Sequence, residues 1–130
     1  MKVLLVNGGP HEKGCTYTAL CEIEKELKAN GIDSEIFWLG NKSVRGCIGC
    51  GGCKGSGRCV FGNEDMVNEA LEKMEAADGL IVGSPVYFAS PNGSLISFLD
   101  RFFYAGKAFT FSYYDKRRKA LYIGRANGRC

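Results

Sequence analysis

The fold of this chain is decided by residues 2–10, which read KVLLVNGGP. A run rich in branched apolar side chains leads without a break into two glycines and a proline, which is typical of a buried strand that ends in a turn. After this turn, Leu20, Ile23 and Leu27 recur at spacings of three and four, and Gly31 follows. The stretch 16–30 is therefore predicted to be an amphipathic helix that stops at a glycine.

The same alternation continues to the end of the chain. Apolar patterns and turn residues predict further strands at 34–39, 79–83 and 120–123, and helices at 64–77 and 94–104. Alternating strands and helices indicate right-handed βαβ crossovers, which build a parallel sheet with helices on both faces. We therefore predict an α/β fold, a doubly wound parallel sheet in three layers, as a single domain over residues 1–130.

Composition narrows the class of protein. The chain has 130 residues and a formal net charge of +3, which is too weak to indicate a nucleic-acid partner. It contains no run of about 18 apolar residues and no signal-peptide pattern. We therefore expect a cytoplasmic protein without a membrane or nucleic-acid partner. Because the cytosol keeps thiols reduced, we do not expect the 7 cysteines of such a protein to form a disulfide framework.

Residues 7–18, NGGPHEKGCTYT, join the first strand to the first helix and are called the first loop. Small residues, hydroxyls and backbone N–H groups at a helix N-terminus favour an anion, here a phosphate monoester. The spacing matches neither a P-loop nor a dinucleotide fingerprint. The alternative is a plain turn in which Cys15 or Thr16 caps the helix. The position at the carboxyl edge of the sheet favours a ligand site.

Residues 83–95, GSPVYFASPNGSL, follow the third strand and are called the second loop. Topology places this loop beside the first loop, at the same edge of the sheet. It offers the aromatic pair Tyr87 and Phe88 on a backbone stiffened by two prolines. Such a loop could hold a flat ring.

These two loops resemble those of the NADPH-dependent FMN reductases and flavodoxin-like flavoproteins. In that family a loop of the type Gly-Ser-Pro-Arg-x-x-Gly-Asn-Thr holds the FMN phosphate. A Ser-Pro-Val-Tyr segment, followed by a helix ending in Leu-Asp-Arg, borders the isoalloxazine ring. The resemblance covers essentially the whole chain. The matching residues are Gly8, Pro10, Gly14, Thr16, Ser84, Pro85, Val86, Tyr87, Leu99, Asp100 and Arg101, while Gly9, His11 and Cys15 replace the family's serine, arginine and asparagine.

The resemblance implies an FMN-dependent oxidoreductase that takes electrons from NADH, NADPH or a ferredoxin. It implies no catalytic acid or base, because the flavin supplies the chemistry. The family has five strands, so the last strand and helix are expected to be missing here, and either the chain is a fragment or a partner, such as a second copy in a homo-oligomer, covers the bare edge. The implied FMN-binding residues are Gly9, His11, Gly14, Cys15, Thr16, Thr18, Pro85, Val86, Tyr87, Phe88, Arg125, Asn127 and Gly128.

Residues 40–63, called the cysteine segment, are rich in glycine and carry Cys47-x-x-Cys50-x-x-Cys53 followed by Cys59. Three thiolates at this compact spacing are typical of a loop that wraps a four-iron four-sulfur (4Fe–4S) cluster, whereas zinc sites usually use two separated pairs. The motif resembles that of the iron-sulfur flavoproteins, a branch of the same family. The alternative is a loop of uncomplexed or redox-active thiols.

Two rival functions remain open at this point. A non-catalytic electron carrier of flavodoxin type would bind flavin without turning over a nicotinamide. A truncated interaction module would bind no flavin at all.

Overall fold

A computed structural model of the chain describes residues 1–106 and, as backbone alone, residues 120–125. Strands and helices alternate in the predicted order. The elements are β1 (Lys2–Asn7), α1 (Cys15–Ala29), β2 (Asp33–Trp38), α2 (Val67–Glu75), β3 (Gly79–Tyr87), β4 (Ser90–Pro91), α3 (Gly93–Ala105) and β5 (Ala120–Arg125). Among these described residues, no helix has the length and hydropathy needed to cross a bilayer.

Four strands form a parallel sheet in the order β2-β1-β3-β5, and the short β4 pairs antiparallel with the end of β3. The chain moves to one side of β1 to form β2 and returns to the other side to form β3. The strand order therefore reverses beside β1, and this reversal opens a crevice at the carboxyl ends of β1 and β3. The predicted doubly wound α/β fold is confirmed.

The two faces of the sheet carry separate apolar clusters because side chains alternate along each strand. Leu4 and Val6 of β1 pack with the apolar faces of α2 and α3. Val3 and Leu5 point the other way and pack with Leu20 of α1. The sheet is thus covered by α2 and α3 on one face and by α1 on the other, which gives the expected three layers.

Helix α1 ends at Ala29, and the predicted stop residue Gly31 follows just after it. This glycine has φ +70°, a conformation that residues with a Cβ rarely adopt. Its amide donates to the carbonyl of Lys28 at 3.0 Å, and the amide of Ile32 donates to that of Leu27 at 2.9 Å. This pair of hydrogen bonds is a Schellman motif, which satisfies carbonyls that the helix end leaves open.

Helix α2 is shorter than the predicted 64–77. The Asp65 carboxylate accepts a hydrogen bond from the amide of Val67 at 3.1 Å, and Val67 is the first helical residue. This local side-chain bond holds residues 64–66 in a turn outside the helix.

The sequence predicts that β3 ends at Gly83. In the structure the strand continues to Tyr87. Ser84 and Pro85 pair with the last residues of β5, and Val86 and Tyr87 pair with β4. The two residues of the hairpin turn, Phe88 and Ala89, both have positive φ, at 48° and 59°. Such two-residue turns normally use Asn or Gly, so backbone strain is stored at this hairpin tip.

Candidate functional site

Asn7, the last residue of β1, shapes the first loop from inside. It is fully buried. Its Oδ1 accepts from the amide of Gly9 at 2.9 Å, and its Nδ2 donates to the carbonyl of Glu12 at 3.1 Å. A buried side-chain amide with both of its functions satisfied fixes the curvature of the backbone around it.

Two further side chains hold the first loop, one at the end of β2 and one just before α3. The indole Nε1 of Trp38, at the end of β2, donates to the carbonyl of Gly9 at 2.9 Å. The Nδ2 of Asn92 donates to the carbonyl of Gly8 at 2.6 Å, and the Gly8 amide donates to the carbonyl of Gly83 at 2.8 Å. The sequence patterns do not predict these roles of Trp38 and Asn92. The available signal was an asparagine just before a helix, which is a favoured N-cap.

Glycines let the loops and α1 approach closely. A Cβ at Gly83 would lie 2.8 Å from Cγ2 of Thr16, and one at Gly9 would lie 3.0 Å from Oδ1 of Asn7. Gly9 therefore stands where the family has a serine, at a position where a Cβ would be in close contact with the Asn7 side chain. The hydroxyl oxygen of Thr16 would lie 3.2 Å from the same Gly9 Cβ, so it sits directly beside the first loop.

The N-terminus of α1 carries no side-chain cap. Gly14 is the N-cap residue, it makes no side-chain capping bond, and the first turn contains no acidic residue. The alternative in which Cys15 or Thr16 caps this helix is therefore wrong. The amides of Thr16 and Tyr17 lack intrahelical acceptors, and the helix dipole adds partial positive charge there. This end of α1 is suited to an anion.

Other predicted residues of the first loop lie around this helix end. His11 is exposed, and the hydroxyl of Thr18, one turn into α1, donates to the carbonyl of Gly14 at 3.3 Å. The Gly9 amide is already taken by Asn7. Donors for a phosphate would therefore come from the first turn of α1.

The second loop is rigid at its base and open at its tip. The buried hydroxyl of Ser84 donates to the carbonyl of Pro85 at 2.8 Å and accepts from the amide of Asn92 at 3.1 Å. Pro85 and Val86 are half-buried, whereas Tyr87 and the fully exposed Phe88 lie at the hairpin tip. These aromatic rings are accessible to a flat ligand.

The structure brings the first and second loops together at the carboxyl edge of β1 and β3. Arg125, the last residue of β5, pairs with Pro85 through the backbone and so reaches the same edge. Asn127 and Gly128, also predicted to face the flavin, lie outside the described residues.

A cavity of about 330 Å³, lined in part by Trp38, opens between residues 38–44 and 63–69. The charged residues that line it are one basic residue, Lys42, and three acidic residues, Glu64, Asp65 and Glu69. The net acidic lining disfavours a phosphate. The end of α1 remains the better anion site.

All four cysteines of the cysteine segment line one pocket, together with Arg101 and Tyr104 of α3. Cys53 is buried and Cys59 is half-buried, whereas Cys47 and Cys50 are exposed. Across the part of the chain that the structure describes, no group of three or more metal-ligating side chains is close enough to hold one metal ion. The sulfurs thus share a pocket without converging, and the predicted cluster stays a prediction.

Arg101 is buried to 2% exposure against the cysteine segment. Its Nε and Nη2 each lie 3.3 Å from Cys59 Sγ, and its Nη1 donates to the carbonyl of Arg45 at 3.2 Å and to the carboxylate of Asp65. Burial alone would lower the pKa of Arg101. The hydrogen bonds that Arg101 donates to Asp65 and Cys59, together with the charges of these two groups, outweigh burial, so the pKa of Arg101 is raised. In the sequence, Arg101 stands out only as part of the Leu-Asp-Arg match.

Comparisons with known proteins show the family of this chain. The family model for NADPH-dependent FMN reductase matches residues 1–126. The chain is 40% identical over 101 residues to an iron-sulfur flavoprotein of Methanocaldococcus jannaschii, covering 78% of this chain and 51% of the relative. It is 34% identical over 104 residues to an iron-sulfur flavoprotein of Methanosarcina thermophila, covering 78% and 52%. The chain thus spans about half the length of these curated relatives.

Solved structures share the fold. The NAD(P)H:quinone oxidoreductase from Methanothermobacter marburgensis aligns with a TM-score of 0.72 at 20% identity, covering 97% of this chain and 64% of that one. An FMN-dependent NADH-azoreductase from Bacillus anthracis, solved in complex with FMN, aligns with a TM-score of 0.60 at 19% identity, covering 99% and 70%. The chain therefore belongs to the NADPH-dependent FMN reductase family, in its iron-sulfur flavoprotein branch.

Proposed function

We propose that this chain binds FMN at the carboxyl edge of β1 and β3 and acts as an FMN-dependent oxidoreductase with NADH or NADPH as electron donor, in the cytoplasm. The observation that carries the proposal is the uncapped first turn of α1, which adjoins a first loop fixed by Asn7, Trp38 and Asn92. The site is therefore shaped in advance for a phosphate, and preorganisation of this kind lowers the entropy cost of binding.

The residues on the two sides of the crevice have separate roles in this proposal. The amides of Thr16 and Tyr17 and the Thr16 hydroxyl bind the phosphate, with Gly9, His11, Gly14, Cys15 and Thr18 around it. Pro85 and Val86 form a wall beside the ring, and Tyr87 and Phe88 stack on it. When bound, FMN supplies both one-electron and two-electron chemistry, so the chain has to bind, orient and shield it.

We further propose that Cys47, Cys50, Cys53 and Cys59 hold a 4Fe–4S cluster that passes single electrons to an acceptor. The four residues line one pocket, which supports the proposal. Gly49 and Gly51 flank Cys50 with φ of +65° and +72°, conformations that permit a sharp turn of the backbone. Binding requires the exposed Cys47 and Cys50 to move toward Cys53 and Cys59. The curated relatives are named iron-sulfur flavoproteins, which is a second line of support.

The structure provides a built-in probe of FMN binding. Trp38 is the only tryptophan, and its indole contacts the first loop. Titration of the protein with FMN should quench its fluorescence to saturation. Riboflavin, which lacks the phosphate, should bind at least tenfold more weakly if the end of α1 is the phosphate site. Equal binding of the two flavins would contradict the assignment of the phosphate site.

Turnover with a nicotinamide donor completes the test of the oxidoreductase. Protein purified without oxygen is mixed with NADH or NADPH, and flavin bleaching and donor oxidation are followed. FMN binding with steady-state turnover supports the reductase. FMN binding without turnover indicates a flavodoxin-type carrier or a ferredoxin-dependent protein, and failure to take up FMN indicates an interaction module.

Light scattering on the same sample tests self-association as a homo-oligomer, which the exposed Ile48, Val60 and Phe88 support.

A further inference from the structure

The buried guanidinium of Arg101 is directed at one sulfur of the cysteine segment. Two of its nitrogens lie 3.3 Å from Cys59 Sγ, and the third donates to Arg45 and Asp65, at the two flanks of the Cys47–Cys59 stretch. A cation is costly to bury unless its hydrogen bonds are satisfied. Among the described residues, all hydrogen-bond partners of this guanidinium lie within residues 45–65.

Cys59 is also the cysteine whose backbone is held most firmly. Its amide donates to Oδ1 of Asn68 at 2.9 Å, and its carbonyl accepts from Nδ2 of the same residue at 2.9 Å. Cys53 is buried, with its Sγ 4.0 Å from the carbonyl of Tyr104, while Cys47 and Cys50 are exposed. Among the described residues, Cys59 is thus the one thiol of the four with a charged hydrogen-bond donor.

We propose that Arg101 is a positioning residue for Cys59, and that its two N–H···S hydrogen bonds raise the reduction potential of a cluster bound there. This inference rests on the cluster of the proposed function. Hydrogen bonds and positive charge at a ligating sulfur favour the reduced cluster, which is the more negative state. The Asp65 carboxylate lies on the opposite side of the guanidinium and fixes its orientation.

A purely structural ion pair between Arg101 and Asp65 is the competing explanation. It would also make Arg101 important for folding, so a loss of global stability does not separate the two explanations. A reduction potential can, because it responds to the field at the sulfur and not to how well the remainder of the chain is packed.

The test uses the full chain, loaded without oxygen by addition of ferrous iron and sulfide. The variants are Arg101→Met, which removes charge and hydrogen bonds, and Arg101→Lys, which keeps the charge but loses the fork-shaped donor. The matched control is Arg58→Met. Arg58 adjoins Cys59 in sequence, but its guanidinium pairs with Glu75 at 3.1 Å, and no hydrogen bond to sulfur is recorded for it in the described part of the chain.

Iron per chain and the midpoint potential, from a redox titration followed by electron paramagnetic resonance, are the two readouts. We expect Arg101→Met to change the ratio of oxidised to reduced cluster at least tenfold toward the oxidised form, which is 59 mV for one electron. Arg101→Lys should shift the ratio less, and Arg58→Met should stay near the starting protein. Equal potentials in Arg101→Met and Arg58→Met, at equal iron content, would overturn the proposal. If Arg101→Met does not fold, the midpoint potential of Arg101→Lys is compared with that of Arg58→Met instead, and equal potentials would overturn the proposal.

A chain that takes up no iron would count against the cluster and not yet against the positioning role. In that case the readout is amide hydrogen exchange over residues 57–65 of the metal-free protein. Exchange there should be at least tenfold faster in Arg101→Met than in Arg58→Met. Equal exchange in the two variants would show that Arg101 does not position Cys59.

Discussion

Asn92 caps α3 and holds the first loop with the same side chain. Its Oδ1 accepts from the amide of Leu95 at 3.1 Å, and its Nδ2 donates to the carbonyl of Gly8 at 2.6 Å. Its own amide donates to the hydroxyl of Ser84 at 3.1 Å. The two loops that form the candidate FMN site are therefore joined through one buried residue, and they are expected to respond together to its replacement.

Replacing Asn92 should weaken both folding and FMN binding. Asn92→Ala removes the cap and leaves the Gly8 carbonyl without its donor, so the free energy of unfolding should fall by about 2 kcal/mol. Asn92→Ser can still cap α3 but is too short to reach Gly8, so it should lose roughly half as much. Urea denaturation measures both, and FMN titration should show weaker binding in each. An Asn92→Ser protein as stable as the parent would contradict the role of the Gly8 bond.

Gly83 is expected to tolerate no side chain. In Gly83→Ala the new Cβ would meet Cγ2 of Thr16 at 2.8 Å and side-chain carbons of Leu20 at 3.1 and 3.2 Å. Pushing α1 away from β3 should cost about 1–3 kcal/mol and displace the proposed phosphate donors. Gly93→Ala is the matched control, since nothing lies within 4 Å of a Cβ at the first residue of α3. It should be neutral or stabilising by up to about 1 kcal/mol, and FMN affinity should not change.

The strands and helices could be predicted because each carries its own periodic pattern, as in residues 2–7 and in Leu20, Ile23 and Leu27. The errors arose where a single contact sets a boundary. The Asp65 side chain delays the start of α2, and pairing with β5 extends β3 through Pro85. Neither contact leaves a periodic signal in the sequence.

The candidate site shows the same division. Its loops could be located, because glycine-rich turns after strands mark the carboxyl edge of such a sheet. The residues that fix the loops could not be predicted from the sequence. Trp38 contacts Gly9 from 29 positions away, and Asn92 contacts Gly8 from 84 positions away. Contacts at such separations depend on strand order and register, and local propensity does not encode them.

Trp38→Phe tests the hydrogen bond from the indole to the Gly9 carbonyl. Phenylalanine keeps an aromatic ring at the end of β2 but has no N–H donor. Losing one partly buried bond of about 1 kcal/mol should weaken FMN binding roughly fivefold. Because the variant has no tryptophan, affinity is followed by the flavin's own fluorescence. Riboflavin serves as the control ligand, and a variant that weakened riboflavin binding as much as FMN binding would argue against a role at the phosphate.

Glu35 gives folding a pH dependence at the amino-terminal part of the sheet. Its carboxylate lies 2.5 Å from Nζ of Lys73 and 3.2 Å from Nζ of Lys2. The hydrogen bond from Lys73, followed by that from Lys2, lowers the pKa of Glu35 against the opposing effect of desolvation. A lowered carboxyl pKa stabilises the fold fully above the unfolded value of about 4.3, and this stabilisation is lost as the pH falls through the folded pKa.

Glu35→Gln should therefore lower the free energy of unfolding near pH 7 by less than about 1 kcal/mol, since the side chain is 34% exposed. The difference from the parent protein should shrink below about pH 4.3 and vanish under the folded pKa of Glu35. Glu72→Gln is the control. Glu72 is exposed on the same helix as Lys73 and makes no ion pair among the described residues. A difference that persisted in acid would mean that Glu35 acts through packing.

The proposed cluster predicts unequal roles for two buried or half-buried thiols. Cys53 lies in the cysteine segment and Cys21 lies on α1, and both are free in the structure. Cys53→Ser keeps the size of the side chain but removes a ligating sulfur, so iron bound after anaerobic reconstitution should fall well below the roughly four atoms per chain of an intact cluster. Cys21→Ser should bind iron like the parent. Because both substitutions replace sulfur with oxygen, equal iron loss would indicate a general effect on folding, and full iron retention in Cys53→Ser would remove Cys53 from the ligand set.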